Sequence, residues 1–186
     1  MNRRSALAFI ARVCAALCSV VIAIPGVAYV VDGLRRRSSS QSTKQRVARL
    51  MDLPPNKPVQ VAVVGNRKDA WMSYPNETVG RVWLIRRNDD KTPANETKVD
   101  AFTATCPHLG CSIQLAANQQ FVCPCHKAVF GLDGQQVQAA GHKAPAPRGM
   151  DSLECQLVED PQSKQWWVEV TFQRFQQGSA TKHPVT

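Results

Sequence analysis

Two short boxes of cysteine and histidine constrain this chain more than any other feature. The first box is Cys106-Pro107-His108-Leu109-Gly110-Cys111, and the second is Cys123-Pro124-Cys125-His126. Thiolate and imidazole are soft or borderline ligands, so two rigid loops that each offer both groups favour a compact metal centre. The cysteine pairs are equally compatible with disulfides, depending on the compartment in which the chain folds.

A zinc site of two cysteines and two histidines is the simplest structural interpretation. Two observations oppose it. A single residue separates Cys106 from His108, which is closer than the roughly two to four residues usual between zinc ligands. Two cysteines would also remain unused. A zinc-binding interaction module without redox function stays open as an alternative, and it predicts a colourless protein.

Taken together, C-x-H-L-G-C and C-P-C-H resemble the paired loops of Rieske proteins. The resemblance implies one [2Fe-2S] cluster with four ligands from the boxes: Cys106 and Cys123 on one iron, His108 and His126 on the other. It also implies a disulfide between Cys111 and Cys125, a feature of the quinol-oxidising branch of the family. Within that branch, His126 is the expected contact for quinol and proton, followed by His108.

The resemblance extends to residues around the boxes and also shows departures. Leu109, with Pro145 and Pro147 in the segment Ala144-Pro145-Ala146-Pro147-Arg148, is expected to shield the cluster. Many high-potential relatives continue the second box as Gly-Ser-x-Tyr, whereas this chain reads Lys127-Ala128-Val129-Phe130. Because hydroxyl donors near the cluster sulfurs stabilise the reduced state, Ala128 and Phe130 predict a low-to-middle potential within the Rieske range.

An apolar segment near the N-terminus predicts a membrane anchor. Residues 13–31 form 19 consecutive uncharged positions, and a helix of that length spans a hydrocarbon core of about 30 Å. A cleaved secretory signal is the alternative. The pair Arg3-Arg4 before the segment resembles a twin-arginine export signal, which predicts a head outside the cytoplasm of a bacterium, anchored in the inner membrane.

Charge is concentrated in the same part of the chain. Of the formal net charge of +9, residues 1–58 contribute +8 and the remainder +1. A nearly neutral body behind a basic, partly apolar front favours a membrane surface and excludes nucleic acid as a partner. We predict a signal and anchor over 1–31, a basic flexible neck over 32–58 and a Rieske domain over 59–186, with its cluster-binding part at about 104–148.

The body reads as short strands between turn residues, which predicts an antiparallel all-β fold. The resemblance to Rieske proteins implies that this fold is a Rieske-type sandwich with a cluster-binding subdomain. Period-two alternation is clear in residues 59–63 and 167–172. The predicted strands are Val59–Val64, Arg81–Arg86, Ala101–Thr105, Gln120–Cys123, Gln135–Ala139, Leu153–Val158 and Trp166–Phe172.

These features together predict the Rieske subunit of a membrane quinol–cytochrome c oxidoreductase of the cytochrome bc type. Its expected partners are a cytochrome b-type subunit, a c-type cytochrome, the lipid bilayer and a quinol such as menaquinol. The alternative with the same cofactor is the Rieske small subunit of an arsenite-oxidase-like periplasmic enzyme. A ferredoxin-like carrier or ring-hydroxylase component is opposed by the anchor and by the additional pair Cys111 and Cys125.

Overall fold

The chain divides into an N-terminal helical unit and a head unit that begins at residue 40. The structure, a computed structural model, describes residues 2–35, 43–69, 72–89, 91–138 and 144–185.

Helix α1 spans Arg3–Arg35, 33 residues that include Pro25. An uncharged apolar run favours a helix, because a helix satisfies its own backbone hydrogen bonds, and apolar helices tolerate an interior proline. By length and composition α1 is able to cross a membrane, although a signal sequence near an N-terminus passes the same test. The helix continues four residues beyond the predicted end of the anchor at residue 31.

Within its described residues the head forms eleven strands, and their pairings are antiparallel. The strands are β1 Thr43–Arg49, β2 Pro58–Asp69, β3 Met72–Arg86, β4 Val99–Thr103, β5 Gln114–Leu115, β6 Phe121–Val122, β7 Val129–Phe130, β8 Gln136–Val137, β9 Ser152–Leu153, β10 Cys155–Glu159 and β11 Trp166–Phe172.

A four-stranded sheet with the order β2-β3-β4-β9 lies at the centre of the head. Strand alternation sends successive side chains of β3 to opposite faces of this sheet. Val82 and Leu84 enter one apolar core, whereas Trp83 and Ile85 enter another. The central sheet is therefore covered on both faces.

Each face of the central sheet packs against a different second sheet. The core with Val82 and Leu84 is shared with Val168 and Val170 of β11, which belongs to the sheet β1-β11-β10. The core with Trp83 is shared with Phe121 and Phe130, from the small sheet β5-β6-β7-β8. This arrangement confirms the predicted antiparallel all-β sandwich with an additional cluster-binding subdomain.

The small sheet belongs to a segment inserted between β4 and β9. These two strands pair with each other, with Ala101 opposite Leu153 and Phe102 opposite Ser152. The N–H of Thr103 donates to the carbonyl of Asp151 at 2.9 Å, which closes the base of the insertion. Both boxes lie inside the inserted segment, which runs from residue 104 to residue 150.

The prediction of a flexible neck over residues 32–58 is wrong for residues 43–58. Strand β1 pairs with β11, from Thr43 opposite Phe172 to Arg49 opposite Trp167. Leu53, 1% exposed, packs in the core that β11 also lines. Residues 32–35 belong to α1, and residues 36–42 lie outside the described part of the chain. The basic composition misled the prediction, because Lys44, Arg46 and Arg49 belong to a paired strand, where they lie opposite Thr171, Glu169 and Trp167 of β11.

Candidate metal centre

The first loop, Cys106–Cys111, is a tight turn closed by two backbone hydrogen bonds. The N–H of Cys106 donates to the carbonyl of Cys111 at 2.8 Å, and the N–H of Gly110 donates to the carbonyl of Cys106 at 2.9 Å. Gly110 has φ +80°, a conformation that favours glycine. Pro107 is buried between the two ligand candidates and stiffens the loop, since its φ is fixed.

The second loop, Cys123–Ala128, repeats the same turn. The N–H of Cys123 donates to the carbonyl of Ala128 at 2.9 Å, and the N–H of Lys127 donates to the carbonyl of Cys123 at 3.0 Å. Lys127 has φ 58°, so it takes the left-handed position that Gly110 takes in the first loop. The two loops are therefore structural equivalents, with Cys106 corresponding to Cys123.

The two equivalent cysteines are free thiols that lie together in the core. Cys106 is 0% exposed and Cys123 is 1% exposed. Burial raises the pKa of the Cys106 thiol to about 11, and a hydrogen bond to Cys123 acts in the same direction, partly opposed by the backbone N–H of His108. Iron ligation requires thiolates, so metal binding at this site releases protons.

The two histidines of the boxes also lie close together. The ring centroids of His108 and His126 are 4.6 Å apart, and the ring planes meet at 73°. The Nδ1 atom of His108 is buried and has no hydrogen-bond partner, an arrangement that costs free energy unless another group binds the nitrogen. His126 is exposed. Two buried thiols and an orphaned ring nitrogen fit a cluster with mixed cysteine and histidine ligation.

A disulfide joins the two loops, as the resemblance to Rieske proteins implied. Cys111 and Cys125 are bonded, with Cα atoms 6.6 Å apart. Both sulfurs lie within 4.8 Å of the Cys123 sulfur. Cys111 and Cys125 are not metal ligands, because a disulfide sulfur carries no thiolate charge. Of these three neighbouring sulfurs, only that of Cys123 is a candidate ligand.

Residues 43–160 match the family model of the Rieske [2Fe-2S] domain. The chain belongs to the Rieske family. Its cofactor is one [2Fe-2S] cluster of the Rieske type, and the zinc alternative is wrong. A cluster of this type accepts and donates single electrons, so the chain is a redox protein.

Two curated relatives show how far the similarity reaches. The menaquinol:cytochrome c reductase iron-sulfur subunit of Bacillus subtilis (strain 168) is 25% identical over 126 residues, covering 66% of this chain and 68% of that protein. The chloroplastic cytochrome b6-f complex iron-sulfur subunit of Bigelowiella natans is 36% identical over 89 residues, covering 46% of this chain and 31% of that protein. The Rieske chain thus spans about two thirds of the first relative and about a third of the second.

Among solved structures, the cyanobacterial plasma membrane Rieske protein PetC3 from Synechocystis PCC 6803 is 24% identical. The match covers 48% of this chain and 76% of that chain, with a TM-score of 0.32.

The residues predicted to shield the cluster differ in their surroundings. Leu109 is 63% exposed at the tip of the first loop. Pro145 and Pro147 are exposed on either side of the buried Ala146, whose carbonyl accepts a hydrogen bond from the Gln136 side chain at 2.8 Å. The proline segment is therefore attached to the Rieske subdomain through Ala146, and both prolines face outward.

The two positions that lack hydroxyl groups are completely buried. Ala128 and Phe130 are each 0% exposed and belong to the same core as Cys106 and Cys123. A side chain at either position therefore lies in the same apolar surroundings as the Cys106 and Cys123 thiols, where water does not compete for hydrogen bonds.

Sequence reasoning missed a set of contacts behind the first loop. The N–H of Gly178 donates to the carbonyl of Pro107 at 2.9 Å, so the C-terminal part of the chain touches the peptide between Cys106 and His108. Arg148, at the end of the proline segment, bonds to this C-terminal part. Long-range contacts of this kind leave no local pattern; the closely spaced charges of Arg148 and Asp151 were the available signal.

Proposed function

We propose that this chain is the electron-transfer subunit of a membrane quinol–cytochrome c oxidoreductase of the cytochrome bc type. The observation that carries the proposal is the disulfide between Cys111 and Cys125, which joins two Rieske loops in a chain that also has a helix able to span a membrane. The printed name of the Bacillus subtilis relative supports the same assignment.

The ligand assignment is part of the proposal. Cys106 and Cys123 would hold one iron, and His108 and His126 would hold the other. The burial of both thiols and the orphaned Nδ1 of His108 support this assignment. When bound, a cluster of this type supplies a one-electron acceptor at about −150 to +300 mV.

The two histidines differ in solvent exposure, and we therefore give them different roles. His126 is exposed, whereas His108 is half-buried. The outer ring nitrogen of His126 accepts a hydrogen bond from a quinol hydroxyl and holds the proton that the quinol loses. Exposed Leu109 lies on the first loop and offers apolar surface to the quinol ring. The quinol would give one electron to the cluster, when bound, and a c-type cytochrome is the proposed acceptor of that electron.

The ligand set is tested by substituting each ligand and examining the reduced protein by electron paramagnetic resonance. Cys106→Ser and His126→Ala abolish the Rieske signal if the assignment is correct. Cys155→Ser and His183→Ala are matched controls, because they remove the same chemical groups elsewhere in the head. Normal spectra from either ligand variant, with iron content retained, would refute the assignment.

The complex is tested by purifying the tagged full-length chain from bacterial membranes in mild detergent. Reduced-minus-oxidised spectra of the purified material should show a b-type haem, and added quinol should reduce the Rieske centre. Co-purification with an arsenite-oxidising subunit, without cytochrome b, would replace the proposal by its alternative.

We further propose that the head lies outside the cytoplasm, on the periplasmic side of a bacterial inner membrane. The pair Arg3-Arg4 supports export of the folded, cluster-loaded protein, and a disulfide persists in an oxidising compartment. Replacing both arginines by lysine should leave the head inaccessible to protease added to spheroplasts. Unchanged protease access would contradict export through the twin-arginine route.

A further inference from the structure

The C-terminal loop, residues 174–185, folds back on itself beside the inserted segment. The N–H of Gln176 donates to the carbonyl of His183, and the N–H of Val185 donates to the carbonyl of Arg174, both at 2.9 Å. Phe175, 4% exposed, anchors this loop in the core between the central sheet and the β1-β11-β10 sheet. The C-terminal loop is therefore an ordered part of the head.

This loop is hydrogen-bonded to the first loop, Cys106–Cys111, through Gly178, and the side chain of Gln177 lies near Gly110. Gly178 has φ +74°, and its N–H donates to the carbonyl of Pro107 at 2.9 Å. A β-carbon at position 178 would stand 3.8 Å from the carbonyl oxygen of His108. Gly178 therefore lies against the backbone that connects Cys106 with His108.

Arg148 holds the backbone on both sides of Gly178. Its guanidinium donates to the carbonyl of Gln176 at 2.8 Å and to the carbonyl of Ser179. The two carbonyls bracket the residue that contacts Pro107. A planar guanidinium with five N–H groups is suited to holding several acceptors at once, whereas an ammonium group acts as a point charge.

Asp151 fixes the guanidinium from the opposite side. Nε and Nη2 of Arg148 donate to its two carboxylate oxygens, each at 2.8 Å, and the two side chains are 10% and 6% exposed. The carbonyl of Asp151 accepts a hydrogen bond from Thr103 at the end of β4. A continuous set of hydrogen bonds thus runs from the central sheet through Arg148 to the first loop.

We propose that Arg148 is a positioning residue that fixes the first cluster loop by holding Gly178 against Pro107. Its consequence for the cluster rests on the proposed ligand set, since Cys106 and His108 flank Pro107. The second cluster loop has no contact of this kind with Arg148 among the interactions of the described residues. The effect of Arg148 is therefore specific to one of two otherwise equivalent loops.

Backbone hydrogen exchange tests the proposal, measured by mass spectrometry on the full-length, cluster-loaded protein in detergent. In Arg148→Gln, peptides covering residues 106–111 and 176–179 should exchange about tenfold faster, because the amides of Cys106, Gly110 and Gly178 open more often. Peptides covering residues 123–128 should not change. Arg148→Lys should give an intermediate exchange rate, because lysine keeps the positive charge but lacks the planar guanidinium that donates to several acceptors at once.

Arg174→Gln is the matched control, because Arg174 lies in the same C-terminal loop and donates to the carbonyl of Val79 at 3.1 Å. It should leave the exchange of both cluster loops unchanged. If Arg148→Gln does not fold, a chain that ends at Gln177 replaces it. This variant keeps Phe175 and Arg148 and removes residues 178–186, including the backbone partners of Gln176 and Arg174. It should accelerate exchange of residues 106–111 and leave residues 123–128 unchanged.

Equal acceleration of both cluster loops, or acceleration of residues 176–179 alone, would overturn the positioning role of Arg148. The electron paramagnetic resonance spectrum of the wild-type protein separates this failure from failure of the ligand assignment. If the wild-type protein gives a normal Rieske spectrum and Arg148→Gln leaves the exchange of the first loop unchanged, the positioning role of Arg148 is rejected and the ligand assignment is unaffected. Normal spectra in ligand variants such as Cys106→Ser reject the ligand assignment, while the exchange result stands by itself.

Discussion

The disulfide between Cys111 and Cys125 joins the last residue of the first cluster loop to the third residue of the second. The loops share one backbone turn, but the disulfide connects positions that do not correspond. It therefore fixes the offset between the loops, which the turns themselves leave free. Both loops contribute thiols to the same buried site, so the offset decides whether Cys106 and Cys123 meet.

Replacing both disulfide cysteines by alanine should destabilise the head and the cluster. For a sequence separation of 14 residues, the entropy of the unfolded chain predicts a loss of about 3 kcal/mol in the free energy of unfolding. Denaturant unfolding measures this loss, and transfer of iron to a chelator measures cluster retention. The double variant Cys14→Ala with Cys18→Ala removes two cysteines from α1 and should change neither quantity.

Ala128→Ser should raise the midpoint potential by about 20–65 mV. A buried hydroxyl that donates to a cluster sulfur stabilises the reduced state by about 0.5–1.5 kcal/mol, and a tenfold change in a one-electron equilibrium corresponds to about 59 mV. Redox titration followed by electron paramagnetic resonance gives the potential.

Ala104→Ser is the control for this substitution. Ala104 is 3% exposed in the same core but lies outside both cluster loops. The substitution should lower stability, as a buried hydroxyl without a suitable acceptor does, and leave the potential unchanged. An equal rise in both variants would show that the potential responds to core polarity in general and not to a donor at position 128.

Phe130→Tyr should also raise the potential, because it restores the second hydroxyl that the chain lacks beside its cluster. Phe121→Tyr is a close control: Phe121 lies opposite Phe130 in the small sheet and is equally buried. Spectroelectrochemical titration should separate the two variants. The prediction would be contradicted if the potential rose in Phe121→Tyr and stayed constant in Phe130→Tyr. The hydroxyl that affects the cluster would then lie on β6, whereas the resemblance to Rieske proteins predicts it on β7.

Lys127→Gly should stabilise the head by about 0.5–1 kcal/mol. Lysine is strained in the left-handed conformation and glycine is not, and this gain exceeds the cost of the greater conformational entropy that glycine gives the unfolded chain. Lys164 provides a matched control in the turn between β10 and β11. Its N–H donates to the carbonyl of Asp160, as that of Lys127 does to Cys123, and its φ is 57°. Thermal unfolding should show similar gains for both variants, but the midpoint potential should fall in Lys127→Gly alone, since a cation beside the cluster is lost.

The pH dependence of stability should identify the contribution of Asp160. The backbone N–H of Ser163 and then the guanidinium of Arg46 lower the pKa of this carboxyl from 3.8 to about 2. A lowered folded-state pKa stabilises the fold above the unfolded value, and that stability is lost as the pH falls through the folded value. The difference in unfolding free energy between wild type and Asp160→Asn should therefore be constant above about pH 4 and shrink towards about pH 2. A difference that grows in acid would contradict the assignment.

Sequence patterns predicted the head best where one strand face is buried and the other is not. Residues 166–172 alternate and form β11 with the predicted bounds. Strands β5 and β7, two residues each, were missed. Two residues are too few to show a period. Strands β6 and β8 are equally short, and they lie within predicted strands only because the predicted runs extended beyond them on both sides.

The chemistry of the candidate site was readable because its residue types are rare and closely spaced. Cys111 and Cys125 were paired correctly by resemblance, and the spacing of the two boxes indicated a metal centre. The contacts of Arg148 and Gly178 behind the first loop could not be predicted from the sequence. Arg148 and Gly178 are far apart in the sequence, and their relation depends on a C-terminal loop whose path is set by the burial of Phe175.

The insertion that carries both boxes leaves and re-enters the sandwich at one point, where Thr103 meets Asp151. Its two ends are neighbours in the central sheet, so the length of chain between them does not alter the geometry of the strands outside. The outer loops of the insertion can therefore change in length while the sandwich strands stay in place, whereas the face that packs on Trp83 and Ile85 and the hydrogen bond from Gly178 to Pro107 must be kept. Grafting this segment between two adjacent antiparallel strands of another β-protein would require a matching apolar face beneath it.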